Sequence, residues 1–317
     1  MSDPRQTPLD SPFGARSSAA EAAAGLDLSG KTVVITGGYS GIGLEAARAL
    51  AGAGARLIVP GRSPDKARAA LAGLEARVNA LDLGEPDGVA AGAAQIADAA
   101  DGVVDLLITN AGIMATPLRR NSKGWESQFA TNHLGHFALF AHLKPCLLKR
   151  PGARVVALSS LAHRISDIEL DDWNFERGDY EKWNAYGRSK SANALFALCL
   201  NHRYEAQGLT AFSVHPGGIM TDLQRDLDQE EMRAMGWIDE AGALNPVFKT
   251  VEQGAATTVW AATSPLLDDR GGVYCEDCTI AGPAQEGVFA GYSPHIRDLK
   301  RAQALWDLSE TLTGLSA

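Results

Sequence analysis

Tyr186 and Lys190 stand four residues apart at the head of a strongly helical stretch, AYGRSKSANALFALCLNHRYEA. That spacing puts both side chains on one helix face. A free phenol ionises near pH ~10, so a tyrosine that exchanges protons at neutral pH needs help, and an ammonium within about 6 Å favours the phenolate. The pair by itself is also met on exposed helices that do no chemistry. Its weight comes from Ser159 and Ser160, which close the β-branched run ARVVALS. In open parallel sheets ligands lie at the carboxyl ends of the strands, where a serine hydroxyl can orient a substrate oxygen beside the phenol.

The elements that must position these groups follow a regular rhythm. Short β-branched runs (KTVVIT, RLIVP, ARVNAL, VVDLLIT, ARVVALS, LTAFSVH, GGVYC) alternate with Ala-rich helical stretches such as GLEAARALAGAG and PDGVAAGAAQIADAA. Strand, helix, strand at this spacing gives right-handed crossovers and a parallel sheet covered on both faces. The expected fold is α/β, a doubly wound, seven-stranded parallel sheet of the Rossmann type. It is a single domain over residues 28–317, preceded by an extension over 1–27. Pro4, Pro8, Pro12 and Gly14 mark the first dozen residues as a mobile tail, and a short helix is expected from Ser18. Residues 161–185 and 222–249 are polar, Trp-bearing insertions, and the second enlarges a substrate loop. Met232, Met235, Trp237 and Phe248, with Trp173 and Trp183, could line an apolar pocket or simply pack their own segments.

The first strand runs into Gly37, Gly38, Tyr39, Ser40, Gly41, Ile42 and Gly43, and a helix follows. Glycines permit a tight turn and close backbone approach, and the helix N-terminus offers free N–H groups to a pyrophosphate. A dinucleotide site is therefore expected, although any strand-to-helix turn can carry glycines.

From Thr36 to Gly43 the turn resembles the signature of the short-chain dehydrogenase/reductase family, and the resemblance extends over residues 29–290. Asp82-Leu83, Asn110-Ala111-Gly112, Asn132, Ser160, Tyr186-x-x-x-Lys190 and Pro216-Gly217 follow in the family's order. The phrases around Asn132 and Ser160, Asn-His-Leu-Gly-His-Phe and Leu-Ser-Ser-Leu-Ala-His, are similar to the retinol dehydrogenase and WW-domain oxidoreductase branch. No WW domain or membrane anchor is read ahead of the fold. The resemblance implies an NAD(P)-dependent oxidoreductase acting on a carbonyl or alcohol, with Tyr186, Lys190, Ser160 and Asn132 as its catalytic group. It selects Ser160 over Ser159, and gives Asn132 a link through water from Lys190 to solvent; otherwise Asn132 kinks its helix or faces a subunit contact. The same resemblance lays Pro216, Gly217, Ile219 and Thr221 against the nicotinamide. Asp82 and Leu83 would lie at the adenine, where Asp82 could equally cap the next helix, and Asn110, Ala111 and Gly112 beside the adenine ribose. Homodimers or homotetramers through the Asn132 and Tyr186 helices are implied, with monomers also known in the family.

At the end of the second strand an acid would bind the ribose hydroxyls of NAD and a base the 2′-phosphate of NADP. Gly61 and Arg62 stand there, which favours NADP(H), with NAD(H) possible and a solvated loop arginine as the plainer alternative. Ser40 stands where many NADP-dependent relatives carry a second base.

The net charge of −9 argues against nucleic acid. There is no apolar leader and no run long enough for a bilayer, so neither a membrane partner nor a membrane location is expected. Four cysteines are too few for a disulfide framework, and a reducing, cytoplasmic setting is expected. Cys275-x-x-Cys278 lacks the second pair that a structural zinc site needs, and His133 and His136 lack a third ligand, so no metal is expected and core packing is the simpler account. Two other classes remain: a nucleotide-binding regulator or scaffold that has lost its chemistry, and an epimerase or dehydratase. The first should show damaged catalytic positions, and the second needs a larger C-terminal domain.

Overall fold

The computed structural model describes residues 4–317. β1 (Thr32–Ile35) is buried along its whole length, as a central strand covered on both faces must be. It alternates its apolar side chains between two cores. Val34 faces the layer with α4 (Pro86–Ala99), α6 (Gly135–Leu147), α7 (Lys182–Tyr204) and α10 (Leu299–Thr313). Val33 and Ile35 face α1 (Ala19–Ala23), α2 (Gly41–Gly52) and α9 (Val251–Thr263). The remaining helices are short: α3 (Pro64–Ala70), α5 (Ser127–Phe129) and α8 (Gln229–Ala234).

The other strands are β2 (Arg56–Gly61), β3 (Ala76–Ala80), β4 (Leu106–Thr109), β5 (Ala153–Leu158), β6 (Leu209–His215), β7 (Tyr274–Glu276) and β8 (Thr279–Ile280). The sheet order is β3-β2-β1-β4-β5-β6-β7-β8. The first seven strands are parallel, as expected. An eighth strand of two residues is added antiparallel to β7 by a tight turn in which Asp277 and Cys278 both have positive φ. Strand order reverses at β1, with β2 and β3 laid to one side and β4 to β7 to the other, so the crevice at the carboxyl ends of β1 and β4 is the ligand-binding position of this architecture.

The opening residues differ from the mobile tail expected of them. Gln6 is buried: its amide donates to Tyr274 O and Ala281 O at 2.9 and 2.8 Å and accepts from Tyr274 N at 2.9 Å. Leu9 exchanges two hydrogen bonds with the Thr279 hydroxyl. The tail thus satisfies edge groups of β7 and β8, which holds residues 4–9 in place; Met1–Asp3 lie outside the described residues. The helix expected from Ser18 is α1, closed by a capping box between Ser18 and Glu21.

α10 covers the outer face of α6 and α7. Its Trp306 is 1% exposed, stacks on Phe196 at 5.9 Å and meets Phe137 and Phe140 edge-on. This is the face that the resemblance implies for subunit pairing, so any contact between copies there has to include or displace α10.

Candidate active site

The glycine turn forms a cradle that side chains would fill. Gly37 and Gly41 have φ of +65° and +50°, a region that favours glycine. A Cβ on Gly43 would stand 2.5 Å from both Asn110 Nδ2 and Gly37 O. α2 begins here without a side-chain cap from Ser40, which leaves its first-turn N–H groups directed at the crevice. Thr36 braces the turn: its hydroxyl accepts from Asn110 N and Ala111 N, both at 3.0 Å, while Asn110 Nδ2 donates to Thr36 O at 2.8 Å. At the end of β2, a side chain on Gly61 would run into the ring of Tyr39. The exposed Arg62 follows. Asp82 borders the same cavity, but one of its oxygens accepts from Gly84 N at 2.9 Å, so it closes a local turn rather than capping α4.

Tyr186 and Lys190 both lie in the first turns of α7 and are 5% exposed. Burial pushes the Tyr186 phenol up to about 12, and a hydrogen bond from Ser160 works in the opposite direction. Burial brings Lys190 down to about 8. Its ammonium donates to Leu158 O at 3.0 Å and sits 5.5 Å from the Tyr186 ring centroid. The two serines are sorted by direction. Ser159 Oγ donates to Lys190 O at 2.7 Å, tying β5 to α7, whereas Ser160 meets Tyr186 in the cavity.

Asn132 does not line the cavity. It stands behind Gly112 in a π-helical turn, Ala130–Leu134, and is fully buried. Its amide accepts from Ile113 N and donates to Ile113 O and Ser189 Oγ, each at 2.9 Å. A Cβ on Gly112 would come within 3.1 Å of Asn132 Oδ1 and 3.7 Å of Lys190 Nζ, so these groups converge. The Asn132 carbonyl accepts from His136 Nδ1 at 2.9 Å, and His136 Nε2 accepts from Thr36 Oγ1 at 2.9 Å. One neutral imidazole thereby connects the glycine turn to the turn that carries Asn132; burial holds His136 near 4. Thr36 and His136 were not among the expected site residues. The i, i+4 spacing of His136 after Asn132 was the available signal. His133, by contrast, bonds Ser309 on α10 at 2.8 Å in the core.

On the far side of the crevice Gly217 has φ +109° with the Lys249 side chain across it. Ile219 pairs with Lys249, and the Thr221 side chain packs against the space at Gly41. Lys249 is ion-paired to Asp277 at 2.5 Å. Pro216 to Thr221 therefore face the glycine turn across a cavity of about 1000 Å³ that also contains Ser160, Tyr186 and Lys190. Trp183, Met235, Trp237 and Phe248 line it. Trp173 and Met232 do not. Trp173 packs on Phe129 and Trp125 in the core beside α5, and Met232 packs against the small buried cluster of Met114, Ala115, Ala162, Tyr186 and Leu227.

Residues 31–232 match the profile of the short chain dehydrogenase family. The chain belongs to this family. A probable oxidoreductase of Streptomyces lividans is 43% identical over 293 residues, which cover 89% of this chain and 97% of that protein. A short-chain dehydrogenase/reductase, prx1, of Penicillium roqueforti is 38% identical, covering 90% and 86%. Retinol dehydrogenase 12 of Mus musculus is 35% identical, covering 92% and 88%. Among solved structures, an uncharacterised Mycobacterium paratuberculosis protein superposes with a TM-score of 0.73 at 35% identity, over 93% of this chain and 97% of that one.

As a short-chain dehydrogenase, the protein is an NAD(P)-dependent oxidoreductase of small molecules, and its residues fit such a cofactor. The cradle at Gly37, Gly41 and Gly43 and the uncapped start of α2 suit a pyrophosphate. Cys275 and Cys278 are buried free thiols on β7 and its hairpin, and burial raises both. Among the described residues no cluster of three metal-ligating side chains occurs, and no helix is long and apolar enough to cross a membrane.

Proposed function

We propose that the protein transfers hydride between NADP(H) and an apolar or aromatic carbonyl compound or its alcohol. The observation that carries this is the meeting of Ser160, Tyr186 and Lys190 in the same cavity that the glycine cradle lines. Gly37 to Gly43, Asn110 to Gly112 and Pro216 to Thr221 would hold the cofactor, which would supply the hydride when bound. Ser160 orients the carbonyl oxygen. Tyr186, protonated in its buried setting, donates its proton to that oxygen as charge develops there. Lys190 offers the positive charge that stabilises the resulting phenolate, and Asn132 holds the Gly112–Ile113 backbone and α7 in register through its three hydrogen bonds.

Arg62 supports NADP over NAD: it is a free guanidinium at the end of β2, and the Tyr39 ring leaves no room at Gly61 for the acid that would bind ribose hydroxyls. A charge-assisted contact contributes about 1.5–3 kcal/mol, so Arg62→Glu should lower the NADPH/NADH ratio of specificity constants by at least about tenfold. Trp183, Trp237 and Phe248, in edge-on contact at 5.7 and 5.6 Å, support an apolar substrate. Four unpaired thiols suit the cytoplasm. The test is NADPH oxidation across a panel of carbonyl compounds. Turnover of aryl and long-chain members is expected; turnover confined to small hydrophilic ketones contradicts the substrate assignment, and none at all would favour a non-catalytic nucleotide-binding protein.

A further inference from the structure

The turn that follows Ser160, Leu161–Arg164, also holds a distant part of the chain. Residues 283–292 form a loop pinched at its base by the Pro283–Tyr292 bridge, and Gly287 to Ala290 at its tip border the catalytic cavity. The Arg164 guanidinium donates to three carbonyls of that loop: Val288 O at 2.6 Å, Ala290 O at 2.8 Å and Gln285 O at 3.2 Å. His163 Nε2 accepts from Ser293 N at 3.0 Å. That bond leaves the ring proton on Nδ1, which donates to Ser160 O at 2.6 Å. Glu276 completes the attachment by accepting from Gly291 N at 2.8 Å.

The loop presents two apolar side chains. Val288 is 47% exposed and Phe289 is 86% exposed, the most exposed large hydrophobic residue among those described. Five backbone groups of an irregular loop are thus fixed by side chains on the turn that follows the catalytic serine and on β7, and what they fix is a bare phenyl ring at the mouth of the cavity.

We infer that His163 and Arg164 are positioning residues that hold residues 283–293 as the substrate-selecting wall, with Phe289 the side chain that packs on the part of the substrate beyond its carbonyl. This rests on the carbonyl oxidoreductase assignment of the same cavity. Because the anchors follow Ser160 by three and four residues, the wall and the group that orients the substrate oxygen move as one body.

The test is affinity for a ladder of methyl ketones, methyl ethyl, methyl butyl and methyl octyl, with protein saturated with NADP⁺. Quenching of Trp183 and Trp237, which line the cavity, reports binding without turnover. In the wild type affinity should rise with chain length. Phe289→Ala should lose about tenfold on the octyl ketone and little on the ethyl ketone, because only the longer chain reaches the ring. Arg164→Ala should reproduce that selective loss and speed amide hydrogen exchange over 285–291. A wild-type series without length dependence, equal slopes in wild type and Phe289→Ala, or unchanged exchange in Arg164→Ala would overturn the inference. Turnover of the same ladder with NADPH is scored separately: length-dependent binding without turnover fails the catalytic assignment and supports the wall.

Discussion

Lowering pH should unfold this protein well before its carboxylates are fully protonated, because four histidines, three of them buried and His215 half-buried at the cavity, are held in the neutral form. Burial moves His133 and His215 from 6.5 to about 3, and His136 and His163 to about 4. Between those values and 6.5 the unfolded chain binds protons that the folded chain does not, so stability rises with pH in that window and is lost as pH falls through it. At pH ~5 each unfolded histidine is about 1.5 units below its pKa, a cost to the fold of about 2 kcal/mol each at about 1.4 kcal/mol per unit, or about 8 kcal/mol for four. That is comparable with the whole stability of an ordinary domain. Glu126 and Glu276 act the other way, since burial raises them and the folded state takes up their protons first. The net expectation is a loss of several kcal/mol between pH 7 and 5. Urea midpoints across that range measure it. His136→Phe sharpens the test. At pH 7.5 it forfeits the hydrogen bonds to Thr36 and Asn132 and should be less stable by about 2 kcal/mol. It should also shed about 1.4 kcal/mol per pH unit of the acid slope, so the two stability curves converge on acidification. A midpoint that stays level from pH 7 to 5, or parallel curves, would refute the reasoning.

Gly43→Ala should weaken cofactor affinity by at least about tenfold, because its Cβ meets Asn110 Nδ2 and Gly37 O at 2.5 Å; unchanged cofactor binding by calorimetry would count against the cradle. Carbonyl reduction should fall above about pH 8 as Lys190 loses its proton, about tenfold per unit, and a profile flat to pH ~10 would count against its role. Glu231 joins α8 to α7 by accepting from the Trp183 indole at 2.9 Å and pairing with Lys182 at 2.5 Å. Glu231→Ala should therefore raise KM several-fold and leave cofactor affinity unchanged; unaltered KM would show that α8 does not shape the pocket.

The seven parallel strands were legible because buried parallel strands are continuous β-branched runs, as in TVVI and RVVAL. The glycine turn and the Tyr186–Lys190 pair were legible because both are local spacings. What escaped depends on long-range partners. β8 is two residues with no pattern to detect, and Gln6 is held by groups more than 260 residues away. The aromatic residues of the insertions gave no direction. Trp173 turns to the core while Trp183, ten residues later, turns to the cavity. His136 reads as a core histidine from its apolar neighbours, and only the fold brings it to Thr36, 100 residues earlier in the chain.

The central claim is that Tyr186 delivers the proton beneath a bound cofactor. Tyr186→Phe keeps the ring and its packing and removes only the hydroxyl. For the carbonyl compound best reduced by the wild type, kcat should fall by about a hundred- to ten-thousand-fold while NADPH affinity is unchanged. A variant that retains near-normal kcat, or one that loses cofactor binding in step with activity, would contradict it.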